Sequence, residues 1–142
     1  MRALLDVNVL IALLDQGHVH HGPARAWLAD HIGEGWASCP ITQNGCIRIM
    51  SQPAYPAPVA PAQVADRLRI ATGTPHHAFW PDDVDLVAFE GLRWTSILGP
   101  RQITDAYLLA LAVRNGGRFV TFDRAAPLGA VAGATASHLV VL

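Results

Sequence analysis

Short, fully apolar runs alternate along the chain with longer segments in which apolar residues recur every three or four positions. The short runs predict β-strands at 2–6, 35–40, 77–83 (a strand running into a turn), 118–123 and 138–142. The longer segments predict helices at 7–14, 20–32, 41–51, 61–73, 86–92 and 101–117. Segment 51–61 carries four prolines and predicts a loop. This alternation predicts an α/β fold with a mainly parallel sheet covered by helices on both faces.

The length of 142 residues suits one domain, spanning residues 1–142, with enough chain to bury a full core. Apolar residues make up 51% of the chain and charged residues only 15%, so much of the surface must be neutral. Apolar surface of this kind favours a partner that covers part of it. The net charge of −1 gives no basic footprint for nucleic acid, so any such binding must come from local groups.

The cysteines and the hydropathy pattern indicate a cytoplasmic protein. Cys39 and Cys46 form no CxxC pair, which favours small buried side chains in a reducing compartment over a disulfide or a zinc site. No apolar run reaches the roughly 18–20 residues that a membrane span needs. Asp6 interrupts the first apolar run, where the centre of a signal peptide would have to be continuous.

Three aspartates fall where a parallel α/β sheet gathers its ligands. Asp6 ends the first predicted strand, Asp123 ends the fourth, and Asp105 lies at the start of the longest helix. Ligands bind at the carboxyl ends of parallel strands. Carboxylates that converge there repel one another unless a cation joins them, and oxygen ligands suit Mg²⁺ or Mn²⁺. The pattern therefore predicts an acidic metal site.

Each aspartate also has a structural explanation. Asp105 or its neighbour Thr104 could cap the start of the long helix, and Asp123 could cap the turn that follows its strand. Asp6 has the fewest structural duties of the three. From the residues alone, both explanations stay open for each aspartate.

Other chemistry is less well supported by the sequence. A phosphatase of the haloacid dehalogenase type needs a second aspartate two positions after the first, where this chain has Asn8. A dinucleotide site needs a glycine-rich turn after the first strand, and residues 7–10 contain no glycine. His18, His20 and His21 have no cysteine or acid at zinc-ligand spacing, which favours capping or surface roles.

Four segments resemble, in order, the motifs of PIN-domain ribonucleases, and among them the VapC toxins of bacterial VapBC type II toxin–antitoxin pairs. They are LLDVNVLIALL (4–14), CPITQNGCIRIMS (39–51), RQITDAYLLALA (101–112) and FVTFD (119–123). The resemblance runs nearly end to end. It implies a three-layer α/β/α fold, Mg²⁺- or Mn²⁺-dependent endoribonuclease activity on tRNA or another structured RNA, homodimerisation, and inhibition by a VapB-like antitoxin.

The resemblance also assigns residues. Asp6, Asp105 and Asp123 match the family's acidic metal-site positions, Thr121 matches a hydroxyl that supports the site, and Asn8 matches the polar residue of the first motif. Gln43 stands where the family usually has a glutamate, and its amide carries no charge and cannot act as a base. The loss of a carboxylate there should weaken ion binding. The alternative function is thus a catalytically weakened PIN-fold protein that binds RNA or an antitoxin.

Side chains near these motifs are candidates for RNA contacts. Arginines can hold phosphates that flank the cleaved bond, and the arginines nearest the motifs are Arg48, Arg101 and Arg124. Aromatic rings can stack on unpaired bases, and the candidates are Trp36, Trp80 and Trp94. Solvated arginines and core tryptophans are the ordinary alternatives for these residues.

Overall fold

The computed structural model describes residues 1–142, with five strands and five α-helices. The strands are β1 (Ala3–Leu5), β2 (Trp36–Ser38), β3 (His77–Phe79), β4 (Arg118–Thr121) and β5 (Leu139–Val141). The helices are α1 (Val7–Leu14), α2 (His21–His31), α3 (Pro40–Met50), α4 (Pro61–Thr72) and α5 (Ile103–Arg114). All five predicted strands and five of the six predicted helices are confirmed.

The strands form one sheet in the order β3-β2-β1-β4-β5, and every neighbouring pair is parallel. β1 is therefore the central strand, and Leu4 pairs with Ala37 on one side and with Phe119 on the other. Because successive side chains of a strand point to opposite faces, Leu4 joins one core cluster while Ala3 and Leu5 join another. The prediction of a parallel sheet covered on both faces is confirmed.

Two apolar clusters hold the three layers together. One cluster joins the sheet to α5 through the buried run from Ala106 to Ala112. The other joins the opposite face to α1, α3 and α4, with Met50 and Val64 among its fully buried members. The helices on one face, the sheet, and α5 on the other face form the α/β/α sandwich that the resemblance implies.

The predicted helix at 86–92 is wrong, because this segment forms turns that local hydrogen bonds stabilise. The Asp85 carboxylate accepts the N–H groups of Val87 and Ala88 at 3.0 and 2.9 Å. An aspartate that binds the backbone in this way competes with helix formation. Leu92 then pairs with Val131 in an isolated antiparallel bridge, and its buried side chain joins the α5 cluster.

The helix predicted at 101–117 is shorter in the structure at both ends. A 3-10 turn at Pro100–Gln102 precedes α5, which begins at Ile103. At the other end the helix stops at Arg114, and Gly116 follows with a φ of +65°. Only glycine adopts this left-handed conformation without strain, so Gly116 ends the helix and turns the chain into β4.

Helices α1 and α3 meet closely at Gly45. A β-carbon on Gly45 would lie 2.6 Å from Cγ2 of Val7, which is too close for any larger residue. The missing side chain lets α3 pack directly against the first turn of α1. That turn follows the end of β1, where the predicted site residue Asp6 lies.

The predictions for the cysteines and for membrane spans can also be compared with the structure. Cys39 and Cys46 are both free and buried, and burial raises the pKa of their thiols to about 11 and about 12. No helix combines the length and the apolar character needed to cross a membrane.

Candidate active site

The three predicted aspartates line a single cavity of about 400 Å³ at the carboxyl ends of β1 and β4. Asp6 directly follows β1, Asp123 lies two residues after β4, and Asp105 lies in the first turn of α5. Asn8, in the first turn of α1, lines the same cavity. The parallel arrangement of β1 and β4 thus brings together residues that are more than 110 positions apart in the sequence.

Asp6 has a structural duty that the sequence did not reveal. It is the N-cap of α1, and its Oδ1 accepts the N–H of Val7 at 2.7 Å. The structural explanation that the sequence left open for Asp6, the least expected of the three, therefore applies to it. Capping satisfies one otherwise unpaired helix donor, and it leaves the second carboxylate oxygen for other partners.

Thr121 connects the acidic residues to one another. Its fully buried hydroxyl donates to Oδ2 of Asp6 at 2.6 Å and accepts the N–H of Asp123 at 3.0 Å. The side-chain amide of Asn8 donates to Oγ1 of Thr121 at 3.4 Å. One hydroxyl therefore fixes both the Asp6 carboxylate and the backbone that carries Asp123.

Of the other two aspartates, Asp105 has no capping role and Asp123 has one. Asp105 is not an N-cap, because α5 begins two residues earlier and no side chain caps it. The Asp105 carboxylate accepts no hydrogen bond from the protein, although the residue is only 7% exposed. Asp123 does cap a turn, since its Oδ1 accepts the N–H of Ala125 at 2.7 Å. A buried, unpaired carboxylate such as Asp105 needs a different explanation.

Burial and mutual repulsion make the cavity unfavourable for negative charge. Burial, together with the nearby charges of Asp6 and Asp123, raises the pKa of Asp105 to about 7. The pKa of Asp6 is also raised, mainly by burial and also by Asp123, although the hydrogen bonds from Thr121 and Val7 oppose the shift. Clusters of carboxylates with raised pKa values are typical of sites that bind a cation or transfer protons.

The donor set of the cavity fits a hard divalent cation. The three aspartates offer only oxygen ligands, which Mg²⁺ and Mn²⁺ prefer. Oδ1 of Asn8 is buried and has no hydrogen-bond donor, so this cavity-lining residue carries an unsatisfied acceptor. The side chains do not yet form a closed ligand set, since no three acidic, imidazole or thiol groups lie close enough together to hold an ion.

Gln43 lies on α3 and is not part of the cavity lining. Its amide donates to the hydroxyl of Ser38 at 2.9 Å, and that hydroxyl is 2.8 Å from Nε2 of His77. The structure therefore joins Gln43 to Ser38 at the end of β2, and through it to His77 at the start of β3, rather than to the three aspartates.

The three candidate arginines lie in different surroundings. Arg101 lines the acidic cavity and forms no ion pair there. Arg48 lines a neighbouring cavity that shares Val7 with the first, and Arg124 is exposed.

None of the three candidate tryptophans lines the acidic cavity. Trp36 is buried and Trp80 packs against the α5 cluster, as the core alternative predicts. Trp94 is 47% exposed.

The cavity also contains residues that the sequence reasoning missed. His18 and Tyr55 line it together with the aliphatic side chains of Ile11 and Ile49. Tyr55 lies in the proline-rich loop and His18 in the turn after α1, and neither segment has a periodicity that predicts its position. His20 is exposed, as the predicted surface role requires, and stacks on Phe122. His21 is half-buried, Nδ1 of its ring contacts the carbonyl of Ala12, and no side chain caps the start of α2.

A second, larger cavity of about 610 Å³ contains none of the three aspartates. It is a mostly apolar groove bounded by α1, α2 and α4, with Leu10, Leu28 and Leu68 among its lining residues. Its lining offers no cluster of acids, so the acidic cavity is the better candidate for chemistry.

The chain is similar to known proteins along most of its length. Residues 3–132 match the PIN domain family. Ribonuclease VapC44 of Mycobacterium tuberculosis is 54% identical over 142 residues, which cover 100% of both chains. Ribonuclease VapC39 of the same organism is 44% identical over 134 residues, covering 94% of this chain and 96% of the relative.

Two solved structures share the fold. VapC20 of Mycobacterium tuberculosis, a toxin that cleaves the Sarcin-Ricin loop, gives a TM-score of 0.59 at 15% identity and covers 82% of this chain and 85% of that one. VapBC2 from Rickettsia felis, bound to a DNA fragment from its promoter, gives a TM-score of 0.59 at 14% identity, with 87% and 89% covered.

Proposed function

The chain belongs to the PIN-domain family and to its VapC ribonucleases, and from this premise we propose that it is the endoribonuclease toxin of a type II toxin–antitoxin pair. Its reaction is metal-assisted hydrolysis of a phosphodiester bond in RNA. The observation that carries the proposal is the acidic cavity, in which Asp6, Asp105 and Asp123 converge at the carboxyl edge of the sheet.

Mg²⁺ or Mn²⁺ is the proposed cofactor, with Asp6, Asp105 and Asp123 as its ligands. When bound, such an ion lowers the pKa of a coordinated water and offsets charge on the phosphate oxygens. The support is the all-oxygen donor set, the mutual repulsion of the carboxylates and the unsatisfied acceptor of Asn8. A divalent cation would offset both the burial of the Asp105 carboxylate and its repulsion by Asp6 and Asp123, which together raise its pKa.

The remaining roles follow from the hydrogen bonds of the site. Thr121 holds Asp6 in one orientation by donating to Oδ2, so this carboxylate is positioned before any substrate arrives. Asp123 orients the attacking water with its free oxygen, since Oδ1 is occupied by Ala125. Arg101 binds a non-bridging phosphate oxygen, because its guanidinium lines the cavity without an acidic partner.

We further propose that the protein forms a homodimer and is inhibited by a VapB-like antitoxin. Exposed apolar side chains support a partner, and the most exposed include Val19, Val87 and Leu98. An arginine of the antitoxin matches the paired carboxylates of the cavity and would compete there with the metal. Light scattering measures the dimer. Co-expression with the neighbouring small gene should give a complex that added Mg²⁺ does not activate, and the absence of a complex would contradict the antitoxin assignment.

The test of the catalytic assignment is RNA cleavage by Asp6→Asn. This variant keeps the shape of the side chain and removes one ligand charge, so it should lose most of the activity. Asp30→Asn is the matched control, because Asp30 is exposed on α2, outside the cavity. Equal rates for the parent and Asp6→Asn at the same metal concentration would show that the site assignment is wrong.

The alternative of a weakened, RNA- or antitoxin-binding protein rests on Gln43, which we retain in the proposed site on the strength of the family motif. Gln43→Glu restores the usual carboxylate. If position 43 acts on the ion, this variant should need less metal for half-maximal cleavage than the parent. An unchanged metal requirement would remove Gln43 from the site, in agreement with its contact to Ser38.

A further inference from the structure

The acidic cavity has a second wall that the proposed hydrolysis does not use. Ile11, His18, Ile49 and Tyr55 contribute apolar and aromatic surface beside the three aspartates. These residues come from α1, the turn after it, α3 and the proline-rich loop. Tyr55 supplies the only benzene ring in the lining of the cavity.

Tyr55 packs against the core cluster of α1, α3 and α4, which positions its ring, and two hydrogen bonds add to this packing. The Tyr55 hydroxyl donates to Oδ2 of Asp15, the residue that ends α1, and the backbone N–H of Tyr55 donates to the carbonyl of Gln52 at 3.0 Å. The Asp15 carboxylate also accepts the N–H of Gly17 at 3.0 Å, so it joins the proline-rich loop to the turn that carries His18.

Two features keep this arrangement stable before a ligand binds. Burial and the contact with Asp15 raise the pKa of Tyr55 to about 12, so the hydroxyl stays a donor. Pro53 and Pro56 flank Tyr55 and restrict its backbone. A ring that is already ordered loses little conformational freedom when a ligand stacks on it.

We propose that Tyr55 is the stacking platform for a nucleobase next to the scissile phosphate of single-stranded RNA. The proposal rests on the proposed function, because a phosphodiester held at the aspartates carries a base on each neighbouring nucleotide. Bases stack on aromatic side chains without strict sequence preference, since every base has a π-face. The aliphatic side chains of Ile11 and Ile49 give the same wall an apolar surface. Tyr55 is thus a substrate-binding residue that favours an unpaired nucleotide over one in a duplex.

The experiment compares one complete oligoribonucleotide with two abasic versions of it. The parent protein first cleaves a short single-stranded RNA with Mn²⁺, and the cut position is mapped. Matched RNAs are then made that carry an abasic nucleotide on one side or the other of the cut. The ratio of kcat/KM between the complete RNA and each abasic RNA measures the contribution of that base. We expect a ratio of at least about fivefold for one of the two positions in the parent.

Three variants separate stacking from a purely structural role. Tyr55→Leu should cleave the complete and the abasic RNA with similar kcat/KM, because the ring is gone. Tyr55→Phe keeps the ring and should keep the ratio of the parent, although it loses the bond to Asp15. Trp94→Leu removes an exposed aromatic residue outside the cavity and should also keep that ratio. Circular dichroism confirms that each variant is folded.

The outcomes distinguish a failure of the stacking role of Tyr55 from a failure of the proposed function. If Tyr55→Leu retains the discrimination of the parent, or lowers kcat/KM equally for both RNAs, Tyr55 is not a stacking platform. If Tyr55→Phe loses the discrimination, the ring alone does not provide it and the inference is likewise overturned. If the parent cleaves neither RNA with metal present, the proposed function itself has failed.

Discussion

The substitution Asp105→Asn should stabilise the folded protein at pH 8 while it removes activity. Asp105 is 7% exposed, accepts no hydrogen bond, and lies near the charges of Asp6 and Asp123. Asparagine has nearly the same shape and no charge, so it removes the electrostatic cost of the carboxylate. Active sites are often less stable than an uncharged version of the same structure, because function requires like charges to lie close together.

The magnitude follows from the pKa of Asp105. Its value of about 7 in the fold compares with 3.8 for the ordinary side chain. A difference of about three pKa units corresponds to about 4 kcal/mol at pH 8. Water that enters the cavity reduces this figure, and we expect a gain of about 2 to 4 kcal/mol in the free energy of unfolding.

The gain should depend on pH in a defined direction. Between pH about 4 and pH about 7 the folded protein keeps a proton on Asp105 that the unfolded chain has released. The free energy of unfolding of the parent therefore falls as the pH rises through this range, by up to about 1.4 kcal/mol per pH unit. Above pH 7 both states have lost the proton and the difference stays constant. The advantage of the variant should be near zero at pH 4 and largest above pH 7.

Urea titrations at pH 4.5, 6 and 8, in buffer with a chelator, measure this difference as a shift of the midpoint at constant slope. Asp30→Asn is the control, since Asp30 is exposed on α2 and should give no change beyond about 0.5 kcal/mol at any pH. Added Mg²⁺ should stabilise the parent more than Asp105→Asn. A variant that is no more stable than the parent at pH 8, or whose gain is equal at pH 4.5 and pH 8, would refute the reasoning.

Three further predictions concern the hydrogen bond that orients Asp6, the packing of α1 against α3, and the binding of RNA phosphate. Thr121→Val should lower the free energy of unfolding by about 2 kcal/mol in urea, because Asp6 loses a buried charge-assisted hydrogen bond. Thr121→Ser keeps the hydroxyl and should retain more RNA cleavage than Thr121→Val. Equal losses of activity in the two variants would contradict this role. Gly45→Ala should cost about 1 to 3 kcal/mol in the same assay, because the new methyl group meets Val7, and an unchanged midpoint would show that the helices can move apart. Arg101→Gln should raise the KM for RNA and lower the salt slope of binding by about 0.7, the value for one phosphate contact on a single strand; an unchanged slope would remove Arg101 from the RNA contacts.

Much of the fold could be predicted because each strand is a short apolar run and each main helix has a clear apolar face. The exception at 86–92 shows the limit of that reasoning. Its apolar residues are spaced as in a helix, and Leu86 and Phe89 are partly buried, but Asp85 binds the backbone of the next residues and forms a turn. The periodicity of apolar residues indicates which side chains are buried, but it does not indicate which hydrogen bonds the backbone makes.

The candidate site was predictable where its residues end strands, and not where they come from loops. Asp6 and Asp123 follow strands whose positions were clear from the sequence, so the parallel sheet brings them to one edge. Tyr55 reaches the cavity only through the path of a proline-rich loop and its bond to Asp15. Gln43 shows the reverse case, since its sequence position suggested the cavity and its side chain binds Ser38 instead.

The pairing of β1 with β4 also has a consequence for how the protein is made in the cell. The ribosome synthesises Asp6 before its partner Thr121, which lies 115 residues further along the chain. Until β4 has emerged and paired with β1, Asp6 lacks the hydroxyl that orients it, and Asp123 does not yet exist. A nascent or truncated chain that ends before residue 121 therefore carries only part of the acidic cavity. For a protein proposed to cut RNA, this order of synthesis delays assembly of the site until the codons for β4 have been translated.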